Sequence, residues 1–305
     1  MPSKRLLHRE ESYILKDGYD ERRLAMQPQR RQSILCPNCN KLISSGEARC
    51  PHCGISRPGS RLKRVFSPRF LRSGDQMIAW IIYANAAMYL LSLALRPAAV
   101  QITMSPFGML SPSSESLILL GATGTFPVFH LGRWWTLVSA GYLHGSLLHI
   151  VFNMLAFRFL ASIVQEDYGS YRMFAIFALG GLLGYVVSLF AGVRLTIGAS
   201  ASVCSLMGAV LYYGKSRGGA HGQTLYKQVS GWAVGIFLFG ILVPGINNWA
   251  HGAGIAAGIG FGALLGYREK VRESLFHKTL GVGCMLVTAA VLIWAAASGF
   301  LIALF

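Results

Sequence analysis

Acidic side chains are scarce in this sequence. Of 305 residues only 12 are Asp or Glu, against 28 Lys or Arg. No acid at all lies between Asp167 and Glu269. That long apolar stretch therefore offers no carboxylate to complete a Ser-His-Asp triad. No H-E-x-x-H run is present either, which excludes that form of catalytic zinc site. The low charge content (13% of residues) and the lack of any obvious internal duplication argue against a transporter of small solutes. The first 34 residues are polar and carry no secretory signal pattern, so the N-terminus is expected to stay in the cytosol. The net charge of +16 does not imply a nucleic-acid partner, and none is expected. Sixteen of the 28 basic residues precede residue 73, and basic residues beside apolar spans face the cytoplasm and anionic lipid.

What the chain has instead is hydrophobicity. Apolar residues make up 53% of it, and the mean hydropathy is +0.47, values of a polytopic membrane protein. Hydropathy predicts spans near 77–95, 145–163, 172–192, 200–214, 229–247, 249–267 and 279–303. Lys215, Arg217, Lys227, Arg268, Lys270, Arg272 and Lys278 fall on one side of the resulting topology. Arg96, Arg133 and Arg194 are the sparse set on the other. The positive-inside rule then puts the N-terminus in the cytoplasm and the C-terminus outside, in what reads as a prokaryotic plasma membrane. The long connection 96–143 contains FHLGRWWTLVSAGYLHG, too apolar for a solvated loop, and is expected to be partly embedded.

Four of the six cysteines lie ahead of the first span, as Cys36-Pro-Asn-Cys39 and Cys50-Pro-His-Cys53-Gly54. Two C-x2-C pairs can grip opposite sides of a tetrahedral ion, and four thiolates close a structural zinc site. His52 is an alternative fourth ligand. A small zinc ribbon over 35–55 is predicted, between a flexible polar segment (1–34) and a basic linker (56–76). Its cytosolic partner is not named by the sequence. Cys204 and Cys284 sit in apolar spans and read as small buried hydrophobes.

The fourth span is short. Residues 200–214, SASVCSLMGAVLYYG, rise about 22 Å at ~1.5 Å per residue, less than the roughly 30 Å hydrocarbon core. Ser200 should therefore lie below the outer surface, and the chain before it must dip inward as irregular backbone. Such backbone is tolerated only inside protein or beside a wet cavity. Ser200 can be read as a helix N-cap or as a nucleophile that needs a base. His251 opens the sixth span from the same side, at similar depth, which allows a Ser-His dyad. His149 and Asn153, four apart on the second span, face the same recess and could hold an oxyanion together with the Ser200 amide. His144 and His149 would be about 140° apart on one helix, poorly placed for a shared metal. Gly254, Gly258, Gly262 and Gly266 repeat every four residues, forming a smooth face that Gly208 could meet. Ser202 and Ser205 are expected to bond back to their own helix.

Three groups, Gly198-Ala199-Ser200, His144 with His149-Ile-Val-Phe-Asn153, and Ala250-His251-x-x-Gly254-x-x-x-Gly258, together resemble the rhomboid intramembrane serine proteases over about residues 77–268. The resemblance implies a six-helix core with Ser200 as nucleophile and His251 as base. It also implies an oxyanion hole from His149, Asn153 and the Ser200 amide, with His144, Gly198, Gly254 and Gly258 in supporting roles. It implies cleavage of transmembrane proteins in the bilayer, with no cofactor for catalysis. Residues 269–305 would be an added seventh helix. The family often has glycine where this chain has Ala201, an aromatic where it has Cys204, and arginine where it has Thr136. The expected architecture is thus an all-α, rhomboid-like membrane domain preceded by a small cytosolic zinc ribbon. A proteolytically silent client-binding protein and a membrane-anchored ribbon adaptor are the alternatives.

Overall fold

Each apolar run expected to span a bilayer is helical. A computed structural model describes residues 33–36, 41–58, 73–101 and 108–304, and the chain divides into two units, residues 1–70 and 71–305. In the second unit seven long helices follow one another: α1 (Ser73–Ala94), α2 (Leu147–Tyr168), α3 (Ser170–Phe190), α4 (Ser200–Arg217), α5 (Gly219–Leu242), α6 (Asn248–Leu265) and α7 (Leu275–Leu304). Among the described residues, five of these are long and apolar enough to cross a membrane: α1, α2, α3, α5 and α7. The other two, α4 and α6, carry Ser200 and His251. Their polar starts and small residues dilute the hydropathy that identifies an ordinary span.

Helix ends differ from the hydropathy reading where capping outweighs apolar content. Helix α2 continues through Glu166 and Asp167, so the expected connection 164–171 shrinks to Gly169. Helix α4 runs on to Arg217, its last turn carrying Lys215 and Arg217, where cations suit the negative end of the helix dipole. Helix α5 begins ten residues before its apolar run and ends at Leu242, because Pro244 disfavours helical geometry at the residue before it.

The core is a junction of α3, α4 and α6. With lipid on the outside, apolar burial supplies little drive for helix association, and close backbone packing takes over. On α6, a Cβ at Gly258 would fall on the Ser205 carbonyl, and one at Gly254 would fall on the Ala201 carbonyl and 3.2 Å from Cys204 Cβ. From α4, a Cβ at Gly208 would lie 2.9 Å from Ile259 N. The smooth face ends one repeat sooner than its spacing suggests: Gly266 is the C-cap of α6, at φ +64. Helix α3 contributes Gly180, Gly181 and Gly184, facing Ser205, Ser202 and Ala250. Ser205 donates across to the Ile176 carbonyl of α3 (2.9 Å), not back along its own helix as expected.

The connection between α1 and α2 is structured, as its composition suggested. It contains short helices at Ser114–Leu119 and Thr136–Ser139, a π-turn at Phe126–His130 and a 3₁₀ turn at Ala140–Tyr142. Leu120, Ala122, Val128, Leu137, Ala140 and Leu143 are buried, while Phe129 and Trp134 are exposed and meet edge to face. Thr136 is fully buried; its hydroxyl donates to the Arg133 carbonyl (2.6 Å) and lies 3.1 Å from Thr123 Oγ1. Arg133 in turn donates to the Ile118 carbonyl (3.2 Å).

Candidate active site

The backbone leading to Ser200 is irregular, and its polar groups are paired inside protein. Thr123 and Thr196 exchange both backbone bonds (3.1 and 2.7 Å), and Thr125 N donates to the Val193 carbonyl (2.9 Å). Gly198 then turns the chain at φ +119, a region that costs a side chain dearly. Its N–H donates to the Ala140 carbonyl (2.9 Å), and its own carbonyl accepts from the Tyr185 hydroxyl.

Ser200 is the first residue of α4. The N-cap is Ala199, with no side-chain cap bond, so the capping reading of Ser200 fails and its hydroxyl is left for another partner. That partner is His251: Nε2 lies 2.9 Å from Ser200 Oγ. His251 is buried, and its Nδ1 has no hydrogen-bond partner among the described residues, consistent with the lack of acids in this part of the sequence. Among the described residues no aromatic ring stacks on His251; Cys204, fully buried, packs instead against Gly254 one turn further along α6.

His149 also reaches this recess. Gly145 N donates to His149 Nδ1 (3.2 Å), so the neutral ring carries its proton on Nε2. That nitrogen lies 2.8 Å from where a Gly198 Cβ would stand, and the same point is 3.7 Å from Ser200 Oγ. An N–H donor is thus aimed beside the serine. Asn153 spends one amide hydrogen on the His149 carbonyl (2.9 Å), which ties it to the turn that holds His149. His144 is not on α2: Ser146 is the N-cap and the helix starts at Leu147. The helical spacing of the two histidines therefore does not apply, and their rings meet edge to face at 5.0 Å. Fully buried, His144 backs the His149 ring.

Three side chains that hold this arrangement were not singled out from the sequence. Asn247 caps α6 by accepting from Ala250 N (3.1 Å), and its amide donates to Ser188 Oγ (2.6 Å) and Thr196 Oγ1 (3.1 Å). It joins the start of the His251 helix to α3 and to the strand-like segment before Ser200. Tyr185 and Thr196 complete the set. Asparagine directly ahead of an apolar helix was a visible N-cap signal; the partners of Tyr185 are far away in sequence and were not.

In the first unit, β1 (Ser33–Leu35) and β2 (Leu42–Ser44) pair antiparallel, with Ile34 opposite Ile43. Cys50 N donates to the Ile55 carbonyl and Gly54 N to the Cys50 carbonyl, both at 2.9 Å, which closes a tight knuckle. The sulfurs of Cys36, Cys50 and Cys53 all lie within 4.8 Å of one another, those of Cys36 and Cys53 at 3.7 Å. Tetrahedral zinc with Zn–S bonds of ~2.3 Å separates its sulfurs by about 3.8 Å. These three thiols therefore fit a zinc ion. Cys39, the expected fourth ligand, lies outside the described residues, and His52 is exposed.

Residues 131–268 match the Rhomboid domain family, a stretch that includes Ser200, His251, His149 and Asn153. The chain is 29% identical over 181 residues to the rhomboid protease GluP of Bacillus subtilis, covering 59% of this chain and 35% of that protein. It is 31% identical over 169 residues to the mitochondrial RHOMBOID-like protein 6 of Arabidopsis thaliana (53% and 52%). It is 24% identical over 235 residues to the rhomboid-like protease 3 of Toxoplasma gondii (72% and 81%). The chain thus spans roughly a third to a half of the length of the first two.

Proposed function

This chain belongs to the rhomboid family, and on that premise we propose that it is an intramembrane serine endopeptidase acting through a Ser200-His251 dyad. The observation that carries the reading is the 2.9 Å contact between His251 Nε2 and Ser200 Oγ, made between the starts of two helices that pack closely on each other.

The chemistry follows from the atoms. His251 Nε2 takes the hydroxyl proton as Ser200 Oγ attacks the carbonyl carbon of a peptide bond. The charge that develops on the carbonyl oxygen is met by His149 Nε2–H, by the Asn153 amide and by the Ser200 N–H, which at the first position of α4 has no intrahelical partner. When the intermediate collapses the C–N bond breaks, and His251 returns the proton to the leaving amine. An acyl group remains on Ser200. Water then attacks it with His251 again as base, releasing a carboxylate and restoring the hydroxyl. No metal takes part; zinc at the cysteine cluster would be structural.

Substrates are proposed to be transmembrane proteins whose helix unwinds near small or helix-breaking residues, since a peptide bond inside a helix cannot reach Ser200. The proposed topology keeps the N-terminus and the ribbon in the cytoplasm and the C-terminus outside. It is supported by Arg217, which pairs with Glu269 (2.9 Å), and by Lys270, which donates to Ser216 (2.8 Å), so that two basic connections meet. The domain limits proposed are the ribbon at 35–55, the catalytic domain at 77–268 and the added helix at 269–305.

The test is cleavage of a single-span substrate by purified protein in lipid. The wild type should cleave, and His149→Ala should lower kcat by about 10²–10³-fold, the usual cost of one oxyanion donor, with little change in KM. A wild type that binds such substrates without cutting them would instead establish a client-binding protein.

The ribbon gives a separate expectation. The full chain should carry about one zinc, as four ligands define one tetrahedral site, and Cys36→Ser or Cys50→Ser should lose it by elemental mass spectrometry. Cleavage by a chain lacking residues 1–60 should persist. Loss of cleavage with that deletion would favour the adaptor reading.

A further inference from the structure

Ser200 and His251 begin different helices, so their 2.9 Å contact requires two separate helix starts to keep their spacing. Beyond the dyad the helices touch directly: a Cβ at Gly254 would fall on the Ala201 carbonyl, and one at Gly258 on the Ser205 carbonyl. Packing of this kind fixes how near α4 and α6 come along their length. It leaves their starts free to splay apart, because it lies wholly on one side of the reacting pair.

On the other side one side chain spans the gap. Asn247 Nδ2 donates to Thr196 Oγ1 (3.1 Å). Asn247 stands four residues before His251, and Thr196 stands four residues before Ser200. Among the described residues, this bond and the dyad contact are the two hydrogen bonds that join residues 191–217 to residues 247–266. Both ends are anchored. His251 N donates to the Asn247 carbonyl and Ala250 N to Asn247 Oδ1, each at 3.1 Å. Thr196 exchanges both of its backbone bonds with Thr123 (3.1 and 2.7 Å). The second amide hydrogen of Asn247 goes to Ser188 Oγ on α3 (2.6 Å), and Ser188 is fully buried. Both amide hydrogens and the carbonyl oxygen of the side chain are thus in use.

We infer that Asn247 is a positioning residue for the dyad: its bond to Thr196 holds the starts of α4 and α6 together and keeps His251 Nε2 within reach of Ser200 Oγ. The inference rests on Ser200 and His251 being the reacting pair. A misplaced reacting group loses rate, about 10²-fold for a displacement of 1 Å.

The experiment uses the full chain in lipid and a fluorophosphonate probe. The phosphorus forms a bond to Ser200 Oγ, the P–F bond breaks, fluoride leaves, and the hydroxyl proton passes to His251. Thr196→Val keeps the shape of the side chain and its backbone pairing but removes the acceptor. Asn247→Ser keeps a helix cap but is too short to reach Thr196, and it keeps the result readable if Thr196→Val does not fold. Each should slow labelling about tenfold, part of the cost of a full 1 Å displacement, and lower kcat with KM unchanged. Thr196→Ser, which retains the hydroxyl, should label at nearly the wild-type rate. The double variant Asn247→Ser with Thr196→Val should be no slower than the slower single one, as expected of two groups acting through one contact. A bond that serves stability alone would lower the melting temperature of the folded variants and leave their labelling rate and kcat at wild-type values; that result, or losses that multiply in the double variant, would overturn the inference. A wild type that is not labelled at Ser200 removes the dyad itself, and the inference with it.

Discussion

With Ser200 replaced by alanine, cleavage in lipid should fall by roughly 10⁴-fold or more, the scale of removing one member of a nucleophile–base unit. His251→Ala should do nearly the same, and the double variant should be no worse than either. The reason is geometric. The serine hydroxyl is a weak nucleophile until its proton is taken, and among the described residues the imidazole 2.9 Å away is the base in contact with it. With no partner on His251 Nδ1 among the described residues, a water that replaced the lost imidazole would find no carboxylate behind it. Residual rate in either variant would come from the oxyanion donors and from substrate positioning. Losses that multiply in the double variant would mean that the two residues act independently.

The second large effect belongs to a residue that touches no substrate. Gly258→Val should remove both stability and cleavage, because any Cβ there falls on the Ser205 carbonyl. Helices α4 and α6 would have to separate, and with them Ser200 and His251. Overpacking of this kind costs about 1–3 kcal/mol, and the backbone contact places this case at the upper end. Gly260→Ala, on the same helix with open space at its Cβ, is the control. It should be neutral or stabilising by about 0.5–1 kcal/mol, the gain of alanine over glycine in a helix. Thermal unfolding of both variants in the same lipid separates the two cases. Equal melting temperatures would show that α6 does not depend on that approach.

Much of this was legible in the sequence, for reasons particular to each element. The short fourth span announced itself through arithmetic: too few apolar residues to cross, with an uncharged serine at its open end. His251 was readable because one polar residue at the mouth of an apolar helix is expensive and so carries information. The glycine face of α6 was readable from its spacing, except at Gly266, where the repeat coincides with a C-cap. Other features depend on contacts between distant segments. Asn247 joins three elements, Tyr185 reaches Gly198, and Ser205 bonds to α3 and not to its own helix. Each of these pairings spans 13 to 59 residues. The relation of His144 to His149 was misjudged in angle because α2 begins two residues before His149, not before His144. The start of α5 was misjudged because its first turns are polar and continue directly from α4.

The most direct measurement is peptide mapping of the full-length protein in lipid after reaction with a fluorophosphonate. The account predicts one adduct, on the peptide carrying Gly198-Ala199-Ser200, at Ser200. It predicts none in Ser200→Ala and a greatly slowed reaction in His251→Ala, since the same imidazole must take the proton. An adduct on another serine, or a Ser200 adduct that forms at the wild-type rate in His251→Ala, would contradict the dyad.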